Sequence, residues 1–198
     1  FRDLEKASGP FAGVAAHRLF GANLAFEGQT LSAEGLLISG SYFPLLGVQP
    51  SLGRVFGVAD DQNVGEHSVV VLSYDYWESR LGKDPSVLSQ TLIINGHPMT
   101  VVGVAARGFD GTTLGSRPDV FVPLTMRGYM ERGFDRWDNR RIYWAYLFAR
   151  LKPGVALEQA SDEINRVYSG IINDVEVPLQ EGMSEATLTR FRARQILL

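Results

Sequence analysis

The chain has 198 residues, of which 45% are hydrophobic and 21% charged, and its formal net charge is −3. This composition excludes a chain that is disordered throughout, and the acidic balance argues against nucleic-acid binding, which needs a basic surplus to neutralise phosphates. Cysteine is absent, which excludes disulfides, thiolate chemistry and cysteine-ligated zinc.

The two ends of the chain indicate a fragment of a longer protein. The sequence begins at Phe1, with neither an initiator methionine nor a signal peptide. It ends on the apolar run Gln195 to Leu198, and no apolar stretch approaches the roughly 20 residues that span a bilayer. We therefore expect both ends to be cut from a larger polypeptide.

The first 38 residues predict a helix followed by extended chain. Residues 1–6 have the composition of the last turns of a helix, which Gly9 and Pro10 bring to an end. Strands are predicted over residues 11–18, 22–26 and 29–38. The polar side chains of residues 1–38 do not form a recognisable catalytic or binding motif.

Serine and glycine then indicate the two ends of a short helix. Ser41 is positioned to cap a helical turn over residues 42–46. Gly47 suits the left-handed conformation in which such a turn ends.

A second helix follows a strand that the sequence predicts as buried. Val69 to Leu72 is a continuous apolar run, as expected of a strand covered on both faces. Ser73 is predicted to cap a helix over residues 74–81, which Gly82 ends. A serine between a strand and a helix superficially resembles the nucleophile elbow of a hydrolase, but the glycines of that turn are missing. Helix capping therefore explains Ser73 better than catalysis does.

The clearest local pattern is a β-hairpin. Asn95-Gly96 tolerates the left-handed conformation at both turn positions, and strands are predicted on either side, over residues 91–94 and 97–104. This register places Ile93 opposite Pro98, whose backbone nitrogen then points away from the partner strand. Because proline cannot donate a hydrogen bond there, we predict that this side of the second strand is an edge.

The rest of the chain predicts a strand, a linker and half of a split βαβ unit. The predicted elements are a strand over residues 119–124, an arginine-rich linker to residue 141, a long strand over 142–151 and an amphipathic helix over 157–172. A strand, a turn and a helix in this order make half of a split βαβ unit. Gln195 to Leu198 is predicted to begin its return strand.

The sequence lacks the motifs of catalysis, cofactor binding and metal binding. It has no phosphate-binding loop, and no helix start follows the glycines between residues 103 and 108. The three histidines lie far apart, without the paired spacings that bind zinc. The loop Asp60-Asp61-Gln62-Asn63 offers oxygen atoms to calcium but lacks the spaced acidic pattern that ends in glutamate. We predict no catalytic residue, no cofactor and no metal.

One segment combines arginines with aromatic residues, which are enriched where proteins meet partners. It spans residues 126–141 and contains four candidates for partner contact, Tyr129, Arg132, Arg136 and Trp137. Acidic residues are mixed among the arginines, so the alternative is a solvated connector whose aromatic side chains pack into the core. The pattern favours the connector.

Short segments in a specific order extend along nearly the whole chain. They are Ile38–Val48, Gly53–Phe56, Val70–Tyr74 with Trp77, Asp84–Ser86, Leu92–Gly96, Val101–Ala105, Pro118–Leu124 and Arg150–Val155. The ordered series resembles the MacB-like periplasmic core domains of ABC transporter permeases, and it is most similar to permeases without a fused ATPase. The sequence departs from that family at Ala156, where relatives often carry a serine or threonine helix cap.

This resemblance implies an α+β fold in two parts. A porter-like part with split βαβ units would comprise residues 1–38 and 139–198, and a β-rich inserted subdomain would comprise residues 39–138. The implied function is a non-catalytic domain, on the periplasmic side of the bacterial cytoplasmic membrane, of a membrane-embedded permease that couples ATP-driven motion to efflux or to partner handling. The implied partners are a cytoplasmic ATPase subunit and a periplasmic adaptor or second permease copy, with no nucleic acid.

Two other functions stay open on the sequence. One is a secreted adhesion or binding module for carbohydrate or protein, which requires a signal peptide and no permease helices in the parent gene. The other is an enzyme with an unrecognised carboxylate or serine site. A deep pocket with converging polar groups would favour the enzyme, and shallow grooves would argue against it.

Overall fold

The computed structural model describes residues 1–6, 9–26, 28–134, 137, 139–140 and 142–198. They form helices and strands of an α+β protein, as predicted. Contacts divide the chain into two compact units: unit 1 comprises residues 1–14, 140–143 and 147–198, and unit 2 comprises residues 15–139 and 144–146. The predicted insertion, residues 39–138, falls inside unit 2, which also includes residues 15–38. The assignment of a porter-like part and an inserted subdomain stays a prediction.

The strands are β1 (Phe11–Phe26), β2 (Gln29–Ile38), β3 (Leu52–Gly53), β4 (Val69–Leu72), β5 (Thr91–Ile94), β6 (His97–Val104), β7 (Val120–Pro123) and β8 (Tyr146–Leu151). The α-helices are α1 (Arg2–Lys6), α2 (Tyr42–Leu46), α3 (Tyr74–Leu81), α4 (Arg127–Met130), α5 (Leu157–Gly170) and α6 (Glu185–Arg192). Single 3-10 turns cover Val58–Asp61, Pro85–Val87, Leu124–Met126 and Val177–Leu179, and a π-helical segment, Ile171–Glu176, continues α5.

Six strands among the described residues of unit 2 close into a ring. Going around it, β1 pairs with β2, β2 with β7, β7 with β4, β4 with β6, and β6 with β5. The ring closes where β5 returns to β1, with Leu24 opposite Ile94 and Ala25 opposite Ile93. The interior of so small a barrel is filled by side chains. Fully buried side chains on these strands include Leu24, Leu36, Ile38, Leu72, Leu92, Ile94, Met99 and Phe121.

Strand β1 is continuous where the sequence predicted two strands. The expected break between residues 18 and 22 was wrong, because Gly21 pairs with Glu34 in an unbroken register from His17 to Phe26. Glycine weakens a strand, but a long antiparallel partner outweighs its low propensity here. Tertiary pairing therefore decides the continuity of β1.

The hairpin register is confirmed, whereas the predicted edge beside Pro98 was wrong. Ile93 lies opposite Pro98, as expected. On its other side, however, β6 pairs in parallel with β4, starting from Val69 opposite Thr100. The amide of Thr100 donates to the Ser68 carbonyl at 2.8 Å. Pro98 lacks only its own backbone hydrogen-bond donor. Because β4 pairs with β6 from Thr100 onward, the pairing does not need a donor at position 98.

Asn95 does more than form the hairpin turn. It has a φ of 51°, as a left-handed turn position requires. Its side-chain amide also donates to the Gly21 carbonyl at 3.0 Å and the Met130 carbonyl at 2.8 Å. Its side-chain oxygen accepts from the amide of Asn23 at 2.7 Å. These bonds join the hairpin to β1 and to the end of α4, where the β1–β5 pairing is short.

We predict that Asn95→Gly, which preserves the turn but removes these three bonds, destabilises unit 2 by about 1–2 kcal/mol. The measurement is urea unfolding followed by tryptophan fluorescence, which reports on unit 2 because all three tryptophans, Trp77, Trp137 and Trp144, lie there. Asn95→Asp is the matched variant: it keeps the acceptor but loses both donors. A stability equal to that of the wild type in both variants would contradict the structural role of the side chain.

The two predicted serine caps have different outcomes. Ser73 is confirmed, because its Oγ accepts from the amide of Tyr76 at 3.1 Å and the helix ends at Gly82 with a φ of 57°. Ser41 was predicted wrongly as a cap: its backbone is helical and its side chain makes no cap bond to α2. Its hydroxyl instead bonds Ser39 Oγ at 2.9 Å. Gly47 ends α2 at a φ of 72°, as expected.

Unit 1 is built around α5. The predicted helix over 157–172 is confirmed, and its buried residues Ala160 and Ile164 pack against Phe11 and Val14 of β1. Strand β8 begins at Tyr146, later than the predicted start at residue 142. Partly buried apolar residues complete this core, namely Phe1, Leu4, Leu151, Val155 and Ile196.

The predicted return strand at residues 195–198 was wrong. The amide of Ile196 donates to Asn165 Oδ1 at 2.7 Å, and the Ile196 carbonyl accepts from Asn165 Nδ2 at 3.0 Å. A side chain on α5 therefore takes the backbone groups that a neighbouring strand would need. The helix α6 before this segment was not predicted.

Candidate partner-contact surface

Tyr129 is held on the surface of unit 2 by neighbours that the sequence did not connect. It lies on α4, inside the predicted linker, and 44% of it is exposed. Its ring meets the ring of His97 edge-on at 5.1 Å. The same ring lies against Gly65, where an added Cβ would come within 2.7 Å of it. Tyr129 is therefore a fixed aromatic side chain with one face in solvent.

Arg127 is enclosed by aromatic side chains. Its guanidinium carbon lies 3.5 Å from the centre of the Phe134 ring and 4.1 Å from that of Trp144. Trp137 meets these rings edge-on, at 5.0 Å from Phe134 and 5.8 Å from Trp144. Only 6% of Arg127 is exposed. The predicted connector is thus packed around a buried cation, and its ring contacts are attractive.

A carboxylate between two arginines supports this arrangement. Glu131 accepts from Arg127 Nε at 2.6 Å and from Arg18 Nε at 2.7 Å. Arg18 Nη1 also donates to the Trp144 carbonyl at 2.9 Å, which takes that backbone group away from strand pairing. Burial lowers the pKa of Arg127, and the bond to Glu131 opposes this effect.

The structure places the four predicted contact residues as follows. Tyr129 is exposed on α4, Arg132 is exposed just after it, and Trp137 is half-buried against Phe134. Arg136 lies outside the described residues. The rings of Phe134 and Trp137 pack beside Arg127 and are half-buried, so the choice between a connector and a contact surface stays a prediction. A contact role for the four residues stays a prediction.

Among the described residues, the most exposed large apolar side chain lies in a loop for which the sequence predicted no role. Leu114 is fully exposed in the loop of residues 110–117, between β6 and β7. Thr112 Oγ1 bonds Tyr42 Oη at 2.8 Å. At the other end of the loop, the amide of Arg117 donates to Glu34 Oε1 at 3.1 Å. The sequence could have indicated this exposure, because Leu114 stands between Gly111 and Gly115 in a segment rich in hydroxyl side chains.

His17 lies beside this loop. Thr113 Oγ1 is 3.4 Å from His17 Nδ1, and the imidazole packs between the rings of Tyr42 at 6.0 Å and Tyr146 at 5.7 Å. Only 8% of His17 is exposed, and this burial lowers its pKa because it disfavours the charged imidazolium.

We predict that His17 makes unit 2 less stable in acid. The folded protein binds fewer protons at His17 than the unfolded chain does, so stability present above the unfolded pKa of 6.5 is lost as the pH falls below it. Urea unfolding at pH 7.5 and pH 5.5 should show a smaller loss for His17→Gln than for the wild type. Asp119, whose pKa burial raises, acts in the opposite direction but is common to both proteins. Equal losses in both proteins would contradict the prediction.

The two aspartates of the loop that the sequence offered to calcium form hydrogen bonds within the protein. Asp60 forms two 2.8 Å bonds with Arg54, and Asp61 accepts from the amides of Gly40 at 3.0 Å and Thr125 at 2.8 Å. The described residues contain no group of three or more acidic or histidine side chains suited to a metal ion. Among the described residues, one groove open to solvent is lined by residues 23–25 and 30–32 and the hairpin, and another runs along residues 110–117.

In the described part of the chain, every helix is too short or too polar to cross a membrane.

Comparisons with known proteins give one family and a set of related folds. The family model of MacB-like periplasmic core domains matches residues 2–167. The structure is similar to the periplasmic region of MacB from Actinobacillus actinomycetemcomitans, with a TM-score of 0.62 and 16% identity, covering 86% of this chain and 72% of that one. It is also similar to the extracellular domain of the noncanonic ABC-type transporter YknZ from Gram-positive bacteria, with a TM-score of 0.60 and 16% identity over 84% of this chain and 80% of that one.

A third similar structure is a domain of a putative permease protein from Porphyromonas gingivalis. Its TM-score is 0.59 and its identity 18%, over 81% of this chain and 70% of that one. The sequence comparison with curated proteins found no match. At these identities the structural likenesses establish the fold.

Proposed function

This chain belongs to the family of MacB-like periplasmic core domains, and from that premise we propose that it relays ATP-driven motion of a permease to partners outside the cytoplasmic membrane. A domain of this family is the periplasmic part of an ABC-type transporter permease. The observation that carries the proposal is the family match, which extends over residues 2–167 and so includes all of unit 2 and part of unit 1. The proposed partners are a cytoplasmic ATPase subunit and either a periplasmic adaptor or a second permease copy.

We propose further that the domain acts without covalent chemistry. Support comes from how its candidate groups are used: Ser73 caps α3, Asp60 pairs with Arg54, and Asp61 accepts from backbone amides. The two grooves described above are open to solvent and do not enclose a ligand, which does not favour a substrate pocket. Transport of a substrate would then depend on conformational motion of the permease and on its contacts with partner proteins.

Relative motion of the two compact units is the testable part of this proposal. Because the chain has no cysteine, two introduced cysteines are the only spin-label sites within it. Glu158→Cys on α5 places one label in unit 1, and Ser79→Cys on α3 places the other in unit 2, both at exposed positions. In the full-length permease with its ATPase, the distance between labels should change when a non-hydrolysable ATP analogue replaces ADP.

The matched control keeps both labels within one unit. Ser79→Cys with Thr91→Cys lies wholly in unit 2, at exposed positions of α3 and β5. Its distance distribution should be the same with either nucleotide. If the Glu158→Cys and Ser79→Cys labels gave the same distance distribution with both nucleotides, the proposed coupling would be wrong. A change in the control pair would instead indicate distortion of unit 2.

A further inference from the structure

We propose that Asn95 is a site of spontaneous deamidation that the fold controls: the reaction is blocked while β5 is closed on β1 and proceeds when that pairing opens. The reactant is water, and the product is an aspartate or isoaspartate in the hairpin turn. The modification leaves a permanent chemical record of the opening. It goes beyond the proposed transport function and does not depend on it.

Asn95 has the local sequence that favours this reaction. The backbone nitrogen of Gly96 loses its proton and attacks Cγ of Asn95, the bond from Cγ to Nδ2 breaks, and Nδ2 leaves with that proton as ammonia. Water then opens the resulting cyclic succinimide at either of its carbonyl groups, which gives aspartate or isoaspartate. A side chain on the following residue hinders the attack, and Asn95 is the one asparagine of the sequence that a glycine follows.

In the closed barrel, hydrogen bonds hold the reacting side chain in place. Asn95 Nδ2 donates to the carbonyls of Gly21 at 3.0 Å and Met130 at 2.8 Å, and Oδ1 accepts from the Asn23 amide at 2.7 Å. The reaction has to carry Cγ onto the Gly96 nitrogen and release Nδ2, so it cannot proceed without breaking these bonds. Three hydrogen bonds of ordinary net strength suppress it by roughly 10- to 1000-fold.

The backbone of the turn opposes ring closure as well. Asn95 and Gly96 have φ values of 51° and 87°, both in the left-handed region. A left-handed residue turns the amide nitrogen of the next residue away from its own Cβ, whereas the succinimide ring needs the two on the same side. The amide of Asn95 fixes this geometry because it donates to the Asn23 carbonyl at 3.0 Å.

Opening of the β1–β5 pairing removes the contacts of Asn95 with β1 and frees the turn. In the described residues this pairing has two positions, Leu24 opposite Ile94 and Ala25 opposite Ile93. Local opening of a short pairing costs less free energy than global unfolding does. The reaction therefore proceeds from a state in which the hairpin has separated from β1 while the rest of unit 2 is still folded.

The product makes the closed form less stable. Aspartate at position 95 keeps an acceptor for the Asn23 amide, but it turns a carboxylate oxygen, in place of a donor, toward the carbonyls of Gly21 and Met130. Isoaspartate also adds a backbone carbon to a turn of two residues. Both products lose two hydrogen bonds of the closed form, and refolding does not restore them.

The first experiment compares conversion of Asn95 in the folded and unfolded chain. The 198-residue protein is aged in mildly alkaline buffer with and without denaturing urea, and peptide mapping by mass spectrometry measures conversion. Conversion should be at least about 10-fold slower in the folded protein. Exposed Asn63, which precedes Val64, is the internal control and should keep its amide in both samples. Equal rates at Asn95, or no conversion in urea, would overturn the proposal.

A proline variant tests whether the β1–β5 pairing controls the reaction. Asn23 directs both its amide and its carbonyl to Asn95. Because alternate residues of a strand face the same neighbour, the amide of Ala25 also faces β5. Ala25→Pro removes this donor and should raise conversion in the folded protein by about 3- to 10-fold, with no change in urea. Wild-type conversion in folded Ala25→Pro would show that this pairing is not the control.

Thr30→Pro is the matched control, because Thr30 lies opposite Ala25 on β2. Its amide faces away from β1, on the side of the strand where Glu34 donates its amide to Asp119 Oδ2 at 3.1 Å and accepts from the Asp119 amide at 2.7 Å. The substitution therefore introduces a proline without removing a bond between β1 and its neighbours. Conversion of Asn95 should equal that of the wild type, and acceleration as large as in Ala25→Pro would refute the assignment to the β1–β5 pairing.

Graded urea gives a test that needs no substitution and that decides the question if Ala25→Pro does not fold. Conversion of Asn95 in the wild type should already rise at urea concentrations below the unfolding transition that tryptophan fluorescence reports, because local opening precedes global unfolding. A conversion rate that rises only together with the fluorescence transition would mean that the reaction needs global unfolding, and the proposal would be wrong.

Discussion

Phe43→Ala should destabilise unit 2 by about 3–5 kcal/mol, because it empties the centre of an aromatic cluster. Phe43 is fully buried on α2 and meets three further phenylalanine rings, at 5.3 Å from Phe56, 5.4 Å from Phe121 and 5.9 Å from Phe109. Removal of the ring costs its transfer free energy, its edge-to-face contacts and the cavity that remains. Urea unfolding followed by tryptophan fluorescence measures the loss.

Two variants test whether burial is the cause. Phe43→Leu keeps much of the apolar volume and should cost clearly less than Phe43→Ala. Leu114→Ala removes apolar atoms that are already in water, so it should lie within about 0.5 kcal/mol of the wild type. Equal losses for Phe43→Ala and Leu114→Ala would refute this account of the cluster.

Glu131→Ala should cost about 3 kcal/mol, because it leaves two arginines without their shared carboxylate. Arg127 is nearly fully buried, and breaking a buried ion pair by removing one partner is strongly destabilising. Arg18 keeps about a third of its side chain in solvent, so it contributes less of the loss. The same fluorescence-detected urea transition gives the change.

A double-mutant cycle isolates the interaction between Glu131 and Arg127. Arg127→Met removes the charge and keeps an apolar side chain between the rings of Phe134 and Trp144. The double variant should be less destabilised than the sum of the single variants, by about 1–3 kcal/mol. Additive losses would mean that the carboxylate stabilises the segment by some means other than its bond to Arg127.

Local chemistry explains which parts of the fold could be predicted from the sequence. The cap at Ser73 and the turn at Asn95-Gly96 depend on residues within a few positions of each other, and both are confirmed. The closure of the ring depends on pairs far apart in the chain, such as Leu24 with Ile94. Nothing in the hydrophobic pattern of β1 or β5 specifies that pairing, so the barrel was not predicted.

The candidate partner-contact surface could likewise be predicted only where its residues lie close together in the sequence. Arginines and aromatics in residues 126–141 were visible in the sequence, and so was the tendency of the rings to pack inward. The bond between Arg18 and Glu131, however, joins residues separated by 113 positions. Leu114 was missed because exposure is a property of the fold: the loop is held out by Tyr42 and Glu34, which lie at distant positions in the chain.

The strands of the ring are joined unevenly, so we expect unit 2 to open first where the pairing is short. β1 and β2 are paired continuously from His17 to Phe26, whereas in the described residues the β1–β5 and β4–β7 pairs have two paired positions each. Amide hydrogens along these two short seams should therefore exchange with deuterium earlier than those between β1 and β2. Opening there would turn a closed barrel into a sheet with two bare edges, the form from which chains aggregate or swap strands.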